Sequence, residues 1–388
     1  MTALEPAADT TYTYVDSDET MRDMLAWMMP AARLAIDLEA DSLYHYYEKV
    51  CLIQFTVRGR NFAVDPLAKL DLAPFLAVLA DRTLILHGAD YDLRMLRNSF
   101  GFRPGAGVID TMMAATLLGC AKTGLSSLVE KFSGRTFSKG GQKSDWSHRP
   151  LSPAQLRYAV DDTRYLEPLA DRLMGELSRL GRRPWFDQVC EAAVAATAED
   201  RATAPQRSWR IKGVRDLTPR QAAFVCELWG WREAEAQRAD LPPFKILGDS
   251  GLSELAVWAE CHHRAGLGQL PKLPRHVTGR RLESLQAALR RAAQLGPSDW
   301  PEPRVQSIER RAKPGEGFGR LRNRIARLAS ELGLQPWVIA PRAALEEISR
   351  KRPTDVAGIR RTGGLLQWQA ELLFNVSDFG KEEARTLR

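Results

Sequence analysis

The stretch Leu34–Ser42, LAIDLEADS, decides the fold. Leu34, Ile36 and Leu38 recur at the period of two that marks a half-buried strand. Asp37 and Glu39 share the opposite face, and Asp41 keeps their parity at the strand end beside Ser42, where turns begin. Read alone, these acids could be solubilising groups on a wet face. They also interrupt the strand where it runs toward a cleft, which opens a second role as ligands for a hard cation.

Around this strand the first half of the chain mixes strands and helices. VCLIQFTV and NFAVDP read as two strands joined by a turn at RGR. DLAPFLAVLADR has helical periodicity and precedes a buried-type strand, TLILHGA, an order that implies a crossover to a parallel neighbour. The expected architecture is a mixed sheet with helices on its faces. After about Gly124 the signals are helical.

The chain has 388 residues, enough for two or three domains, with 44% hydrophobic and 27% charged residues. Its net charge of +7 leans modestly toward a polyanionic partner. Five scattered cysteines form no C-x-x-C pair, which argues against a disulfide framework or a cysteine zinc site and fits a reducing cytoplasm. The start, MTALEPAADT, has neither a basic nor an apolar signal region, and no apolar run reaches bilayer length, so no membrane association is expected. Nothing points to an obligate protein partner. The expected divisions are residues 1–200, a helical unit at 211–295, a linker at 296–317 and a second helical unit at 318–388. A polar stretch at 198–210 reads as a further linker.

Two more acidic clusters follow. In LHGADYDLRML (Leu86–Leu96), Gly88 allows a tight turn, Asp90 is placed to cap a helix, and Asp92 lies in its first turn. His87 reads better as a wall residue than as a ligand. In LRYAVDDTRYL (Leu156–Leu166), Tyr158 and Asp162 stand one helical turn apart on one face, while Asp161 points away toward solvent. Each cluster taken alone is unremarkable. Together, Asp37, Glu39, Asp92 and Asp162 can converge at one end of the sheet, where such crowding requires cations. Oxygen ligands of this kind suit Mg²⁺ or Mn²⁺. Two such ions about 4 Å apart can activate a water and stabilise the leaving oxygen of a phosphodiester. Tyr158 is placed to orient that water.

On these residues the chain resembles the ribonuclease D family of 3′–5′ exonucleases, in the DEDD superfamily. DLE (Asp37–Glu39) with CLIQ (Cys51–Gln54) looks like its first motif, and HGADYDL (His87–Leu93) like its second. YAVDD (Tyr158–Asp162) looks like the third motif, in the tyrosine subclass. Between them, GLSSLVEKFSGRTFSKGGQKSDWSHRPLSPAQLRYAVDD is similar throughout to the family's pattern. The first helical unit, with WREAEA and LPPF, looks like an HRDC domain, and the last resembles a diverged second one. The resemblance implies a ribonuclease H-like fold, an α/β mixed-sheet exonuclease domain followed by two small all-α HRDC-like domains. It also implies two divalent metal ions, Mg²⁺ or Mn²⁺, held by Asp37, Glu39, Asp92 and Asp162. The activity implied is release of nucleoside 5′-monophosphates from RNA 3′ ends, with tRNA precursors as the suggested substrate.

Where many bacterial members read D-T-E-F, this chain reads D-L-E-A; Leu38 faces away from the acids, and Ala40 lacks an aromatic ring. His87, Lys139 and Arg149 are candidate substrate contacts, Lys139 because it matches the family's lysine. Lys143 lies in the same basic stretch. Trp146 reads as a core anchor, and His45 and Tyr46 as pocket lining or rim. Arginine-rich runs in the helical units suggest guidance of RNA by charge, and a fragment ending near Asp200 is expected to keep hydrolysis. The competing readings are a DNA 3′ exonuclease using the same acids and a catalytically silent RNA-binding scaffold.

Overall fold

Tyr12–Val15 forms a short strand, β1, that opens the fold of the computed structural model, which describes residues 4–6, 9–136, 140–198, 209, 211–262, 270–301, 315 and 317–376. Helix α1 (Asp18–Met28) starts from a reciprocal Ser17–Thr20 capping box and buries Met21, Met24 and Met28. Strand β2 (Arg33–Ala40) carries the alternating stretch, with Leu34, Ile36 and Leu38 in the core. β3 (Val50–Val57) is buried at every position, so both its faces are covered. It turns into β4 (Arg60–Val64) through Arg58 and Gly59, whose φ values of 47° and 76° meet the demand of a two-residue hairpin turn for left-handed backbone.

The chain continues through α2 (Ala73–Ala80), β5 (Thr83–Leu86), α3 (Ala89–Phe100), β6 (Val108–Asp110), α4 (Thr111–Leu117) and α5 (Leu125–Ser133). Helices α6 (Pro153–Thr163), α7 (Leu166–Arg179) and α8 (Arg183–Ala198) follow. The strands order as β1-β4-β3-β2-β5-β6. β2, β3 and β4 pair antiparallel, whereas β1 with β4, β2 with β5 and β5 with β6 pair parallel. This is the expected mixed sheet, extended at its two edges by β1 and β6.

Two compact units emerge. The second comprises residues 41–49 and 200–311. Its helices α9 (Pro219–Ala239), α10 (Pro243–Ile246), α11 (Asp249–His262) and α12 (Arg280–Gln294) close on a core that includes Phe224, Leu228, Leu252 and Leu285. The segment after β2 belongs to this unit. Asp240, the left-handed C-cap of α9, accepts from the Tyr46 and Tyr47 amides and pairs with His45 Nδ1 at 2.7 Å. Tyr46 Oη donates to Glu233 at 3.1 Å. His45 and Tyr46 are therefore committed to α9. Asp41, expected at a rim or turn, does sit in a turn but is fully buried, accepting from the Lys49 amide and ammonium.

The last helices, α13 (Phe318–Leu332), α14 (Pro336–Ile339), α15 (Arg342–Lys351), α16 (Val356–Gly363) and α17 (Gln367–Val376), do not stand apart. They share one apolar core with α4, α5, α7 and α8. Trp185 stacks on Trp368 with ring centroids 4.7 Å apart, and Gln188 accepts from the Trp368 amide. A methyl on Gly119 would lie 1.8 Å from the Gly333 carbonyl oxygen, so the turn after α4 presses directly on the end of α13. Buried Arg182 donates to the carbonyls of Leu117 and Leu332, closing the C-terminal ends of α4 and α13 together. Arg182→Met should strand both carbonyls and cost about 2–4 kcal/mol. Urea unfolding reads that loss, and an unchanged midpoint would show that the clamp contributes nothing.

Candidate active site

The alternation of β2 places Asp37 and Glu39 on one face, opposite Gln54 and Leu52 of β3. Gln54 Nε2 donates to Asp37 Oδ2 at 2.6 Å and orients that carboxylate. Asp162 comes from α6, which starts at a Ser152–Gln155 capping box with Pro153 in its first turn. Burial of Leu156, Ala159, Val160 and Thr163 turns the other face of α6, with Tyr158 and Asp162, toward a cleft of about 540 Å³. Carboxylate oxygens of Asp37, Glu39 and Asp162 lie within 4.8 Å of one another, within reach of a single cation. Asp92, nearly buried in the first turn of α3, lines the same cleft.

Asp90 does not cap α3, contrary to the sequence-based expectation. The cap position is Gly88 at φ 84°, and the free amides of Gly88 and Ala89 are taken by Asp110 at the end of β6. Asp110 also accepts from the Met112 and Met113 amides and so ties the starts of α3 and α4 together. Asp90 instead pairs with Arg94 on the helix surface. The Asp110 carboxylate is what fixes the height of Asp92 in the cleft.

Burial and mutual repulsion push all four acids up. Glu39 rises to about 10, first through burial and then through Asp37, Asp162 and Asp92. Asp92 reaches about 8 through burial and the neighbouring Asp110. Asp162 also reaches about 8, through burial and Asp37, against a lowering hydrogen bond from Tyr158. Asp37 is raised by burial and by Asp92. At neutral pH such a group of acids either holds protons or holds cations. Its all-oxygen donor set fits a hard divalent ion rather than a soft one.

His87 stands in the wall of the cleft, its Nδ1 2.9 Å from Thr111 Oγ1, with burial pushing the imidazole pKa down. Arg149 lies elsewhere. Its guanidinium makes a paired contact with Asp65 and also donates to the carbonyls of Cys51, Trp146 and His148, which leaves no donor for a phosphate. The substrate contact expected of Arg149 is thus replaced by a structural one. Lys139 lies outside the described residues, as does most of the linker expected at 198–210. Asp161, expected in solvent, is half-buried and pairs with Arg164. Trp146 is buried in the core and packs 6.2 Å from the Tyr158 ring.

Two supporting residues escaped the sequence reading. Gln54 was visible only as part of a motif, because its role depends on cross-strand register. Gly141 carries no sequence signal at all, yet a methyl there would fall 2.3 Å from Tyr158 Cγ. The tyrosine ring lies against bare backbone. Gly141→Ala should displace the ring and lower kcat by about 10–100-fold while leaving the circular dichroism spectrum unchanged. An unaltered kcat would show that the ring position does not matter.

A family model described as 3′–5′ exonuclease matches residues 12–178, and one described as HRDC domain matches residues 221–260 and 316–375. A ribonuclease D from Acidiphilium cryptum is 30% identical over 88% of this chain and 86% of its own. The crystal structure of Escherichia coli RNase D, described as an exoribonuclease involved in structured RNA processing, superposes with a TM-score of 0.68. It is 25% identical and covers 94% of this chain and 98% of its own. A protein from Bifidobacterium adolescentis shares the fold at a TM-score of 0.73, with 23% identity over 97% of this chain and 99% of its own.

Proposed function

This chain belongs to the ribonuclease D family and is a 3′–5′ exoribonuclease, and from that premise we propose that Asp37, Glu39, Asp92 and Asp162 hold two divalent cations, Mg²⁺ or Mn²⁺, for stepwise hydrolysis of RNA 3′ ends. The observation that carries this reading is the convergence of Asp37, Glu39 and Asp162 oxygens within 4.8 Å, with Asp92 in the same cleft. When bound, the cations supply Lewis acidity for the attacking water and for the leaving 3′ oxygen. Asp37, Glu39 and Asp162 would hold the one nearest the water; Asp92 would hold the other, sharing Asp37.

Tyr158 hydrogen-bonds Asp162, and its phenol is pushed above the ordinary tyrosine range, first by burial and then by the surrounding acids. It therefore stays protonated at every working pH and can hold the nucleophile by donating or accepting a hydrogen bond without giving up its proton. Gln54 keeps Asp37 aimed into the cleft. His87, neutral and fixed by Thr111, serves as wall for the terminal nucleotide. Precursor tRNA trailers are the substrate class proposed, a choice that follows the family rather than any feature of this cleft.

A 5′-labelled oligoribonucleotide should shorten in single-nucleotide steps with release of nucleoside 5′-monophosphates, stop in EDTA and resume with Mg²⁺ or Mn²⁺. The deoxy version of the same sequence should be cut at least tenfold more slowly. Equal rates on RNA and DNA would favour the general 3′ exonuclease, and no turnover with either metal would favour a binding scaffold.

A further inference from the structure

Beside Glu39 the β2–β3 ladder slips by one residue. Glu39 pairs with Leu52 but Ala40 pairs with Val50, so Cys51 is an extra residue on β3 and forms a bulge. A regular strand sends neighbouring side chains to opposite faces. Here Cys51 and Leu52 are consecutive, both fully buried, and both in one apolar cluster with Trp146, Leu156 and Ala159. Tyr158 packs against the same cluster. The bulge thus joins the strand opposite Glu39 to the helix that carries Tyr158 and Asp162.

The extra residue of a bulge stands outside the ladder, and its backbone needs other partners. The Cys51 carbonyl accepts from Arg149 Nη2 at 2.6 Å. Every guanidinium N–H of Arg149 has an acceptor: two go to Asp65, at 2.7 Å each, and the others to the carbonyls of Cys51, Trp146 and His148. Asp65, itself buried, is oriented by the Tyr14 hydroxyl at 2.6 Å and the Leu67 amide at 2.9 Å. On the other side of the bulge the Lys49 amide donates to buried Asp41.

We infer that Arg149, backed by Asp65, is a positioning residue that sets the Cys51 bulge, and through it the aim of the Glu39 carboxylate, and that seats the Tyr158 ring through Trp146. The inference rests on the metal-cage reading of the cleft and deepens it. A bulge re-aims the side chains next to it, and a displacement of about 1 Å at a reacting centre costs on the order of 100-fold in rate. Lysine cannot replace the fork, because one ammonium does not reach a carboxylate and separate carbonyls together.

Arg149→Lys keeps a charge beside Asp65 and loses the fork. It should lower kcat on an oligoribonucleotide about 10–100-fold with KM unchanged. Arg149→Ala should lose as much and regain turnover with millimolar ethylguanidinium but not with ethylammonium. In the metal-free protein, amide hydrogen exchange should quicken at residues 50–52 in Arg149→Lys, while the amides of β5 keep their wild-type rates. A raised KM with kcat retained would make Arg149 a substrate contact. A lowered melting temperature with kcat and exchange at 50–52 unchanged would leave it a stabilising residue only. Either result overturns the inference. A wild-type protein without metal-dependent turnover would instead sink the exonuclease reading, and the exchange rates would still decide whether Arg149 holds the bulge.

Discussion

Deleting residues 312–388 should abolish the soluble exonuclease rather than liberate it. The sequence suggests a nuclease domain ending near residue 200, but the shared core contradicts that independence. Phe186, Leu169, Leu173 and Leu177 are buried in one cluster with Ile325, Ile348, Trp368 and Leu373. Uncovering a side chain of this size costs about 1.5–3 kcal/mol, and only a few such losses exhaust the 5–15 kcal/mol that a folded domain has in hand. Arg182 would also lose its Leu332 acceptor. The truncated protein should precipitate on expression or melt more than about 10 °C lower. A truncated protein with an unchanged melting temperature and full turnover would show the core to be divisible.

Asp37→Asn should lower kcat by about 10³-fold or more while making the metal-free protein more stable at pH 8. The Asp37 charge pushes both Glu39 and Asp162 upward, so removing it relieves both. The sign follows from linkage. Folded Glu39 near 10 and folded Asp92 and Asp162 near 8 retain protons that the unfolded chain releases near pH 4. Between about pH 4 and pH 8 the unfolded state therefore binds fewer protons, and stability falls as pH rises, with the Glu39 contribution continuing toward pH 10. The melting temperature of the metal-free protein should drop from pH 5 to pH 8, less steeply in Asp37→Asn. Saturating Mn²⁺ should flatten the wild-type profile, because the cation takes the place of the protons. A wild-type profile that is level with pH, or full Mg²⁺-dependent turnover by Asp37→Asn, would exclude the proposed cage.

What could be read in advance depended on how local the cause was. The β2 acids were legible because a two-residue period assigns faces without knowledge of neighbours, and Tyr158 with Asp162 because one helical turn does the same. The edge strands β1 and β6 are too short to show a period, and α1 went unread although Met21, Met24 and Met28 recur at helical spacing. Asp90 looked like a cap because it stands at a helix start, but the actual acceptor, Asp110, arrives from another strand. Arg149 looked available because its partner Asp65 is distant in sequence. The docking of α13–α17 left no trace in composition, since an apolar helix face does not say which other face will meet it.

That docking also sets an order in time. During synthesis the sheet and α1–α8 are complete once about 200 residues have left the ribosome, yet the helices that cover α4, α7 and α8 emerge well over a hundred residues later. At about 5–20 residues per second the uncovered face waits on the order of 10–40 seconds. Through that interval the nascent nuclease half should bind holding chaperones, and its apolar face should be covered only once α17 has emerged.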